Sequence, residues 1–263
     1  MTSKSPNRRV ARAGLLLLAI AGTSGSLAAC DSDFDPVGVE PISLSVLFVG
    51  NSLTYRNGLP RLVLGLFEQI GRTDVASDFV AFPGFGLEDH WEEGAVLEEI
   101  ASGRWDLVVM QQGPSATEGR PSLLSYSQLF DERIRAAGAR PAMYMVWPAE
   151  VRSFDFDGVL DSYRTAAETI NGLFFPCGEA WRIAWAEDPT LDLYDTDRFH
   201  PSLLGSYLAA LVIFEQLSGT DLATLPPRIR RGAEEFVISP DIARVLQRAA
   251  SEANRRHARV VER

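Results

Sequence analysis

Three side chains in this sequence have the types and the placement needed for nucleophilic catalysis by a serine. Ser52 follows an apolar run and Gly50, which permits a tight turn that leaves the serine hydroxyl and backbone N–H accessible. Asp197 and His200 lie close together near the C-terminal end of the chain. A serine hydroxyl needs a base at neutral pH, and a histidine base needs a carboxylate that fixes its tautomer. These residues therefore predict a Ser52–His200–Asp197 triad.

Each of these residues also has a simpler interpretation. Asn51 or Ser52 would serve equally well as a helix N-cap, and the aspartate and histidine as a polar surface turn. The chain has three histidines, and the other two are weaker candidates for the base, because His257 lies among arginines and His90 follows two acids in a predicted helix. Pro201 favours the triad, since a proline suits the first turn of the next helix and leaves the preceding histidine at an accessible junction.

Predicted strands and helices alternate along the chain. The predicted strands are Leu44–Val49, Val75–Phe82, Leu107–Met110, Ala142–Trp147 and Leu173–Cys177. The predicted helices are Leu59–Gly71, Leu87–Ser102, Leu123–Ala137, Phe156–Ile170, Pro201–Leu217 and Pro240–Val261. This alternation indicates an α/β fold over residues 43–263, a three-layer α/β/α sandwich with a central, mostly five-stranded parallel sheet. Ligands of such sheets bind beyond the carboxyl ends of the strands, so functional residues are expected there.

Residues 1–29 resemble a lipoprotein signal peptide. Basic residues without any acid precede the apolar run Gly14–Gly22, which is too short to span a bilayer. The motif Leu-Ala-Ala-Cys that ends at Cys30 resembles the bacterial lipobox, so we expect cleavage before Cys30 and lipidation of its thiol. Residues 30–42 are acidic and predict a tether. These features predict export and a lipid anchor in a bacterial membrane; an ordinary export signal with a chance cysteine is the alternative.

The composition argues against several function classes. The formal net charge is -10, and removal of residues 1–29 takes away four positive charges and no negative ones, which leaves -14. Such an acidic domain is not expected to bind nucleic acid. Lys4 is the only lysine, so the exported part has none for a Schiff base, pyridoxal phosphate or a P-loop. Two cysteines and three histidines argue against a structural zinc site. With Cys30 lipidated, Cys177 has no disulfide partner and is expected to be a buried small apolar residue.

The sequence resembles the SGNH (GDSL-type) hydrolases in the motifs that carry these side chains. Gly-Asn-Ser-Leu at residues 50–53 and Asp-x-x-His at residues 197–200 follow the family's order of nucleophile, acid and base, although many members have aspartate in place of Asn51. The resemblance runs from about residue 44 to residue 219, and Leu193–Ala209 is its most specific part. It implies ester hydrolysis through an acyl-enzyme, with no metal and no organic cofactor, on a flavodoxin-like sheet of the kind predicted above.

The same resemblance implies an oxyanion hole. Members of the family complete the hole with a glycine after the second strand, an asparagine after the third and the N–H of the serine, here Ser52. Gly84 is the predicted glycine, but no asparagine follows the third strand. The Gln-Gln-Gly sequence there resembles the sialate and carbohydrate O-acetylesterase branch, in which a glutamine amide donates instead. Gln112 aligns best, but neighbouring strand residues face opposite ways, so Gln111 stays an alternative.

The substrate class follows less directly. The glutamine-bearing motif and the predicted export favour a carbohydrate ester, from which an acetyl or other short acyl group is removed. Trp91, Trp147 and Trp181 are candidates for stacking on sugar rings, although tryptophans of such chains are more often core. A lipase or thioesterase for longer acyl chains is the second enzymatic interpretation. A non-catalytic, surface-anchored binding module is the third, and the intact serine, aspartate and histidine argue against it.

Overall fold

The computed structural model describes residues 43–257. The predicted signal peptide of residues 1–29, the lipidation site Cys30 and the predicted tether of residues 30–42 lie outside the described residues. Its centre is a five-stranded parallel sheet with the strand order β2-β1-β3-β4-β5. The strands are β1 Leu44–Gly50, β2 Val75–Ala81, β3 Leu107–Met110, β4 Arg140–Tyr144 and β5 Leu173–Phe175. Strand β3 is apolar and fully buried, as a central strand covered on both faces must be. The predicted fold class is confirmed.

Helices form a layer on each side of this sheet. They are α1 Ser52–Tyr55, α2 Leu59–Gln69, α3 Leu87–Glu93, α4 Ala95–Ala101, α5 Arg120–Ala136, α6 Phe156–Thr169, α7 Cys177–Glu187, α8 Leu203–Ser218 and α9 Pro240–His257. Helices α2, α7, α8 and α9 pack against one another, and α3 to α6 form the second group. None of the helices between residues 43 and 257 is long and apolar enough to cross a membrane.

Several elements differ from the predicted ones. Gly94, with φ +95°, divides the helix predicted over residues 87–102 into α3 and α4. Strand β4 ends at Tyr144 rather than at residue 147, because its neighbour β5 ends before Pro176, which has no N–H for the ladder. Two elements were not predicted. They are helix α7 and an antiparallel hairpin formed by β6 Arg228–Arg231 and β7 Glu234–Val237.

Cys177, the first residue of α7, occupies the buried position expected of it. Its side chain is fully buried, with Sγ 3.6 Å from the carbonyl oxygen of Ala209 on α8. Burial raises the pKa of the thiol, since a thiolate would lose its hydration there. Cys177 therefore packs as a small apolar residue.

Candidate active site

Ser52 is presented by the sharp turn between β1 and α1. Asn51 has extended backbone angles and is the N-cap of α1, because its Oδ1 accepts a hydrogen bond from the N–H of Leu53 at 3.1 Å. Ser52 is the first residue of the helix and is half-buried. Gly50 is required by space: an added Cβ would lie 2.5 Å from Gln111 Nε2. The capping function thus belongs to Asn51, which leaves the hydroxyl of Ser52 available.

The structure brings the three predicted triad side chains together in one series of hydrogen bonds. Ser52 Oγ lies 2.8 Å from His200 Nε2, and His200 Nδ1 lies 2.6 Å from Asp197 Oδ2. A carboxylate only accepts hydrogen bonds, so Nδ1 carries the hydrogen and Nε2 accepts from the serine hydroxyl. This tautomer is the one that a general base next to serine requires.

Asp197 is fixed by its own turn. Its Oδ1 accepts hydrogen bonds from the backbone N–H groups of Phe199 at 3.0 Å and His200 at 2.8 Å, which leaves Oδ2 for the imidazole. The bond to His200, helped by these N–H groups, lowers the pKa of Asp197 to about 2, so the carboxylate is ionised at neutral pH. The turn closes through Arg198, which has a left-handed φ of +58°.

An aromatic cluster beneath the site holds the histidine turn from one side. Trp147 and Trp181 stack with ring centroids 3.7 Å apart, and Trp147 Nε1 donates to the carbonyl oxygen of Phe199 at 3.1 Å. Tyr194 packs edge-on against Trp181 and donates from its hydroxyl to the carbonyl oxygen of Pro148 at 2.6 Å. Trp147 and Trp181 are fully buried. They support the turn and are not surfaces for sugar stacking.

The segment after Ser52 holds the histidine turn from the other side. Asn57 Nδ2 donates to the carbonyl oxygen of Pro201 at 2.8 Å and to Ser206 Oγ at 3.0 Å. Arg56 forms an ion pair with Asp195 at 2.5 Å. Because Asn57 follows the serine closely and Pro201 follows the histidine, these contacts fix the distance between nucleophile and base. No sequence pattern indicates this function of Asn57, since an isolated Asn-Gly dipeptide only predicts a turn.

The two glutamines predicted for the oxyanion hole are engaged elsewhere in this structure. Gln111 is fully buried, and its Nε2 donates to Asn51 Oδ1 at 2.8 Å and to Thr54 Oγ1 at 2.9 Å. Gln112 Nε2 donates to Ser115 Oγ at 2.9 Å and to the carbonyl oxygen of Gly119 at 2.8 Å. An amide nitrogen has two hydrogens, so both amides are fully used. Either amide could donate to an oxyanion only if one of its present hydrogen bonds were broken.

Two backbone N–H groups, those of Ser52 and Gly84, are not used in this way. Within residues 43–257, the N–H of Ser52 and the N–H of Gly84 donate to no hydrogen-bond acceptor. Gly84 lies in the exposed turn after β2 with φ +74°. That turn is joined to the serine turn, because Asn51 Nδ2 donates to the carbonyl oxygen of Phe85 at 3.0 Å. The turn that contains Gly84 is therefore attached to the residue that precedes Ser52.

His90 on α3 supports the serine turn from below and does not reach the triad. It is fully buried, and its Nε2 lies 2.7 Å from the carbonyl oxygen of Gly50, while Nδ1 has no partner among the described residues. Phe82 and Phe85 pack around the ring. Burial lowers the pKa of His90, so the neutral form, which donates from Nε2, is the stable one.

We expect the protein to lose stability as the pH falls below about 6.5, because the unfolded chain then binds a proton that folded His90 resists. The loss ends once the pH has passed the lower pKa of the folded state. His90→Gln keeps a donor without the titration, so its urea midpoint should change less than that of the wild type between pH 7 and pH 5. Equal changes in both proteins would show that His90 does not cause the loss.

Groups of three or more His, Cys, Asp and Glu side chains that could hold a metal ion are not found between residues 43 and 257.

Similarity to known proteins is seen at the level of structure. No protein-family model matches the chain, and neither does any curated protein. A candidate SGNH hydrolase from Slackia heliotrinireducens is 26% identical, with a TM-score of 0.57, over 66% of this chain and 99% of that one. A DUF4886 family protein from Bacteroides uniformis is 20% identical, with a TM-score of 0.64, over 80% and 94%. The lipase/acylhydrolase from Enterococcus faecalis is 16% identical, with a TM-score of 0.54, over 67% and 96%. The chain shares the α/β fold of these proteins.

Proposed function

We propose that the protein is a serine ester hydrolase that forms an acyl-enzyme on Ser52, with His200 as the base and Asp197 as the residue that orients it. The observation that carries the proposal is the pair of hydrogen bonds from Ser52 Oγ to His200 Nε2 at 2.8 Å and from His200 Nδ1 to Asp197 Oδ2 at 2.6 Å. Neither a helix cap nor a surface turn requires this series. The fold shared with SGNH hydrolases supports the same chemistry.

The proposed reaction has two halves. In acylation, Ser52 Oγ attacks the ester carbonyl carbon while its proton passes to His200 Nε2. The imidazolium then protonates the alcohol oxygen, the bond from that oxygen to the acyl carbon breaks, and the alcohol leaves. In deacylation, water gives a proton to Nε2 and attacks the acyl carbon, and Ser52 regains its proton as the acid leaves. Asp197 stays ionised throughout, because its pKa is about 2, and stabilises the imidazolium.

The oxyanion in this proposal is held first by the N–H groups of Ser52 and Gly84. The supporting observation is that neither N–H donates to an acceptor in the described part of the chain. Gln112 Nε2 remains the third donor of the proposal, because its acceptor Ser115 Oγ is a hydroxyl that can rotate to another partner. Gln111 is the less suitable of the two, because it is fully buried beneath the serine turn.

Replacement of Gly84 by alanine tests the backbone donor. An added Cβ meets no atom within 4 Å, but the φ of +74° strains an L side chain, so the backbone that carries this N–H must shift. We expect kcat to fall roughly tenfold with KM little changed, less than the roughly 10²–10³-fold cost of removing a donor. Gly138→Ala is the matched control, because Gly138 also has a positive φ and open surroundings but lies before β4, at the opposite edge of the sheet. Equal kcat values for the two variants would exclude Gly84 from the hole.

The proposed substrates are short acyl esters, with O-acetyl groups on carbohydrate as the first choice. The motif after β3 supports this choice through its resemblance to carbohydrate O-acetylesterases. A lipase or thioesterase for longer chains is the second choice, and the fold shared with the lipase/acylhydrolase from Enterococcus faecalis is compatible with it.

Purified protein assayed against p-nitrophenyl esters of increasing acyl length tests the function, together with labelling by a fluorophosphonate probe. We expect hydrolysis that is fastest for acetyl or another short acyl group, and a single label on Ser52. A maximum at long chains would favour the lipase or thioesterase. Absence of both turnover and labelling would favour a binding module with the same fold.

We also propose that the protein is exported and anchored to a bacterial membrane through lipid on Cys30. The motif Leu-Ala-Ala-Cys after a short apolar run supports this. Cys30→Ser should abolish metabolic labelling by a fatty-acid analogue and release the protein from the membrane fraction, since firm retention needs more than one acyl chain. Unchanged labelling in that variant would contradict the anchor.

A further inference from the structure

A small cavity lies beside the proposed triad and is not used by the chemistry described above. It has a volume of about 230 Å³ and is formed by the segments that follow β3 and β4 together with Phe199. Its apolar walls include Ala116, Pro148 and Phe199, and its charged members are Glu118, Arg152 and Asp155. The volume is below the roughly 300–1,000 Å³ of pockets for drug-sized ligands, so it has room for a single ring-sized group.

The position of Phe199 relates the cavity to one half of an ester. The rings of Phe199 and His200 are in edge-on contact, with centroids 5.2 Å apart and planes at 63°. His200 must deliver a proton to the alcohol oxygen as that oxygen leaves, so the alcohol half of the substrate has to lie on the histidine side of Ser52. A cavity whose wall touches the imidazole is placed for the alcohol half. The acyl half must lie towards the donors of the oxyanion hole.

The charged members of the cavity indicate which alcohols fit. Arg152 Nε lies 2.5 Å from Asp155 Oδ2, and an Arg152 side-chain nitrogen lies 3.7 Å from a carboxylate oxygen of Glu118. Arg152 remains about half exposed, with 47% of its side-chain surface accessible, whereas Asp155 retains only 13%. The mouth therefore offers guanidinium donors and carboxylate acceptors side by side above an apolar wall. Hydroxyl groups both donate and accept, so they match this pattern, whereas an alkyl chain would strip water from the ions without replacing it.

We propose that this cavity is the alcohol subsite and that it takes a hydroxylated ring, a sugar unit, with one face on Phe199 and the hydroxyl groups on Arg152 and its two carboxylates. The inference rests on the proposed ester hydrolysis. It adds the side of the site on which the sugar lies, and it gives Arg152 a function in binding the substrate.

The two half-reactions distinguish an alcohol subsite from an acyl subsite. The alcohol has already left when the acyl-enzyme is hydrolysed, so a change in an alcohol subsite affects acylation and leaves the deacylation rate as it was. A change in an acyl subsite alters both rates. Vinyl acetate and a monoacetylated glucose give the same acetyl-enzyme, but only the second has a ring for the cavity.

The experiment compares Arg152→Gln and Ala116→Leu with the wild type on these two esters. We expect each variant to lower kcat/KM for acetylated glucose by roughly tenfold or more, with kcat/KM for vinyl acetate and the deacylation rate unchanged. Arg164→Gln is the matched control, because Arg164 is also 47% exposed and paired with an aspartate, but on α6 and outside the cavity.

If only Ala116→Leu lowers kcat/KM for acetylated glucose, and its unfolding midpoint is also lower, that loss reflects damage to the fold. Because Arg152→Gln would then hydrolyse acetylated glucose as the wild type does, this result would overturn the proposal. Altered deacylation, or an equal loss on both esters, would overturn it in favour of an acyl subsite. Wild-type protein that neither hydrolyses vinyl acetate nor reacts with a fluorophosphonate would overturn the proposed ester hydrolysis itself.

Discussion

Ser52→Ala and His200→Ala should each lower kcat for a short acyl ester by roughly 10⁴- to 10⁶-fold, and the double variant should be scarcely worse than either one. The reason is that Ser52 Oγ and His200 Nε2, 2.8 Å apart, act as one unit. Either change removes the activated nucleophile, so the second change has little left to remove. Steady-state kinetics of the three variants, each with its circular dichroism spectrum as a check on folding, measure this.

Asp197→Asn should behave differently from these variants. The amide oxygen can keep the bonds to the backbone N–H groups of the turn, but the amide nitrogen then faces His200 Nδ1 and cannot accept its hydrogen. We therefore expect a loss of about 10⁴-fold near neutral pH and a smaller loss at high pH. His257→Ala is the control, because His257 is at the end of α9, where its Nε2 lies 3.6 Å from a carboxylate oxygen of Glu179 on α7. Loss of activity in this control, or labelling of Ser52→Ala by a fluorophosphonate at another serine, would show that the wrong residues have been assigned.

Gln111→Ala should be the most damaging change outside the triad. It removes an amide that donates to Asn51 Oδ1 and Thr54 Oγ1 and accepts from the N–H of Gly113 at 2.7 Å, all at a fully buried position. Buried polar groups without partners cost about 1–3 kcal/mol each, so we expect the free energy of unfolding to fall by about 2–4 kcal/mol. The serine turn loses its support at the same time, and a displacement of about 1 Å can lower kcat roughly 10²-fold. Urea unfolding and kinetics on the same samples measure both effects.

Gln247→Ala provides the comparison for Gln111→Ala. Gln247 is also a buried glutamine, but its amide donates to the carbonyl oxygen of Leu225, away from the serine turn. We expect a smaller loss of stability and an unchanged kcat. If Gln111→Ala instead lowers kcat while stability and KM stay at the wild-type values, Gln111 acts directly on the transition state and its assignment to the oxyanion hole is restored.

The fold and the meeting of the triad side chains were open to prediction from sequence because both depend on local patterns. Apolar runs and their spacing predict parallel strands, and parallel strands bring the segments after their carboxyl ends to one edge of the sheet. Ser52 after β1 needed no more than this. The Asp197–His200 turn follows α7 rather than a strand, so its place beside Ser52 was implied by the resemblance in motif order. The turn also contains its own hydrogen bonds, from backbone N–H groups to Asp197, so its shape is set within four residues.

The direction of the two glutamine side chains was beyond such reasoning. Alternation along a strand shows that Gln111 and Gln112 differ in direction, but not which acceptors lie within reach. The acceptor of Gln111, Asn51 Oδ1, is 60 residues away in sequence and close only after folding. The acceptors of Gln112 lie in the loop that follows it, and only the path of that loop brings them within reach. The missed hairpin is a different case, because the alternating residues around Gly232, which has φ +60°, gave a signal that high polarity concealed.

The stacked indoles of Trp147 and Trp181 give the protein a natural optical reporter. Aromatic rings held 3.7 Å apart and nearly parallel, at 13°, respond in fluorescence and near-ultraviolet circular dichroism to small changes in their packing. Trp147 is also hydrogen-bonded to the residue before His200, so a movement of the histidine turn changes the surroundings of this ring. The unlabelled protein can therefore signal whether the turn that carries its base is in place.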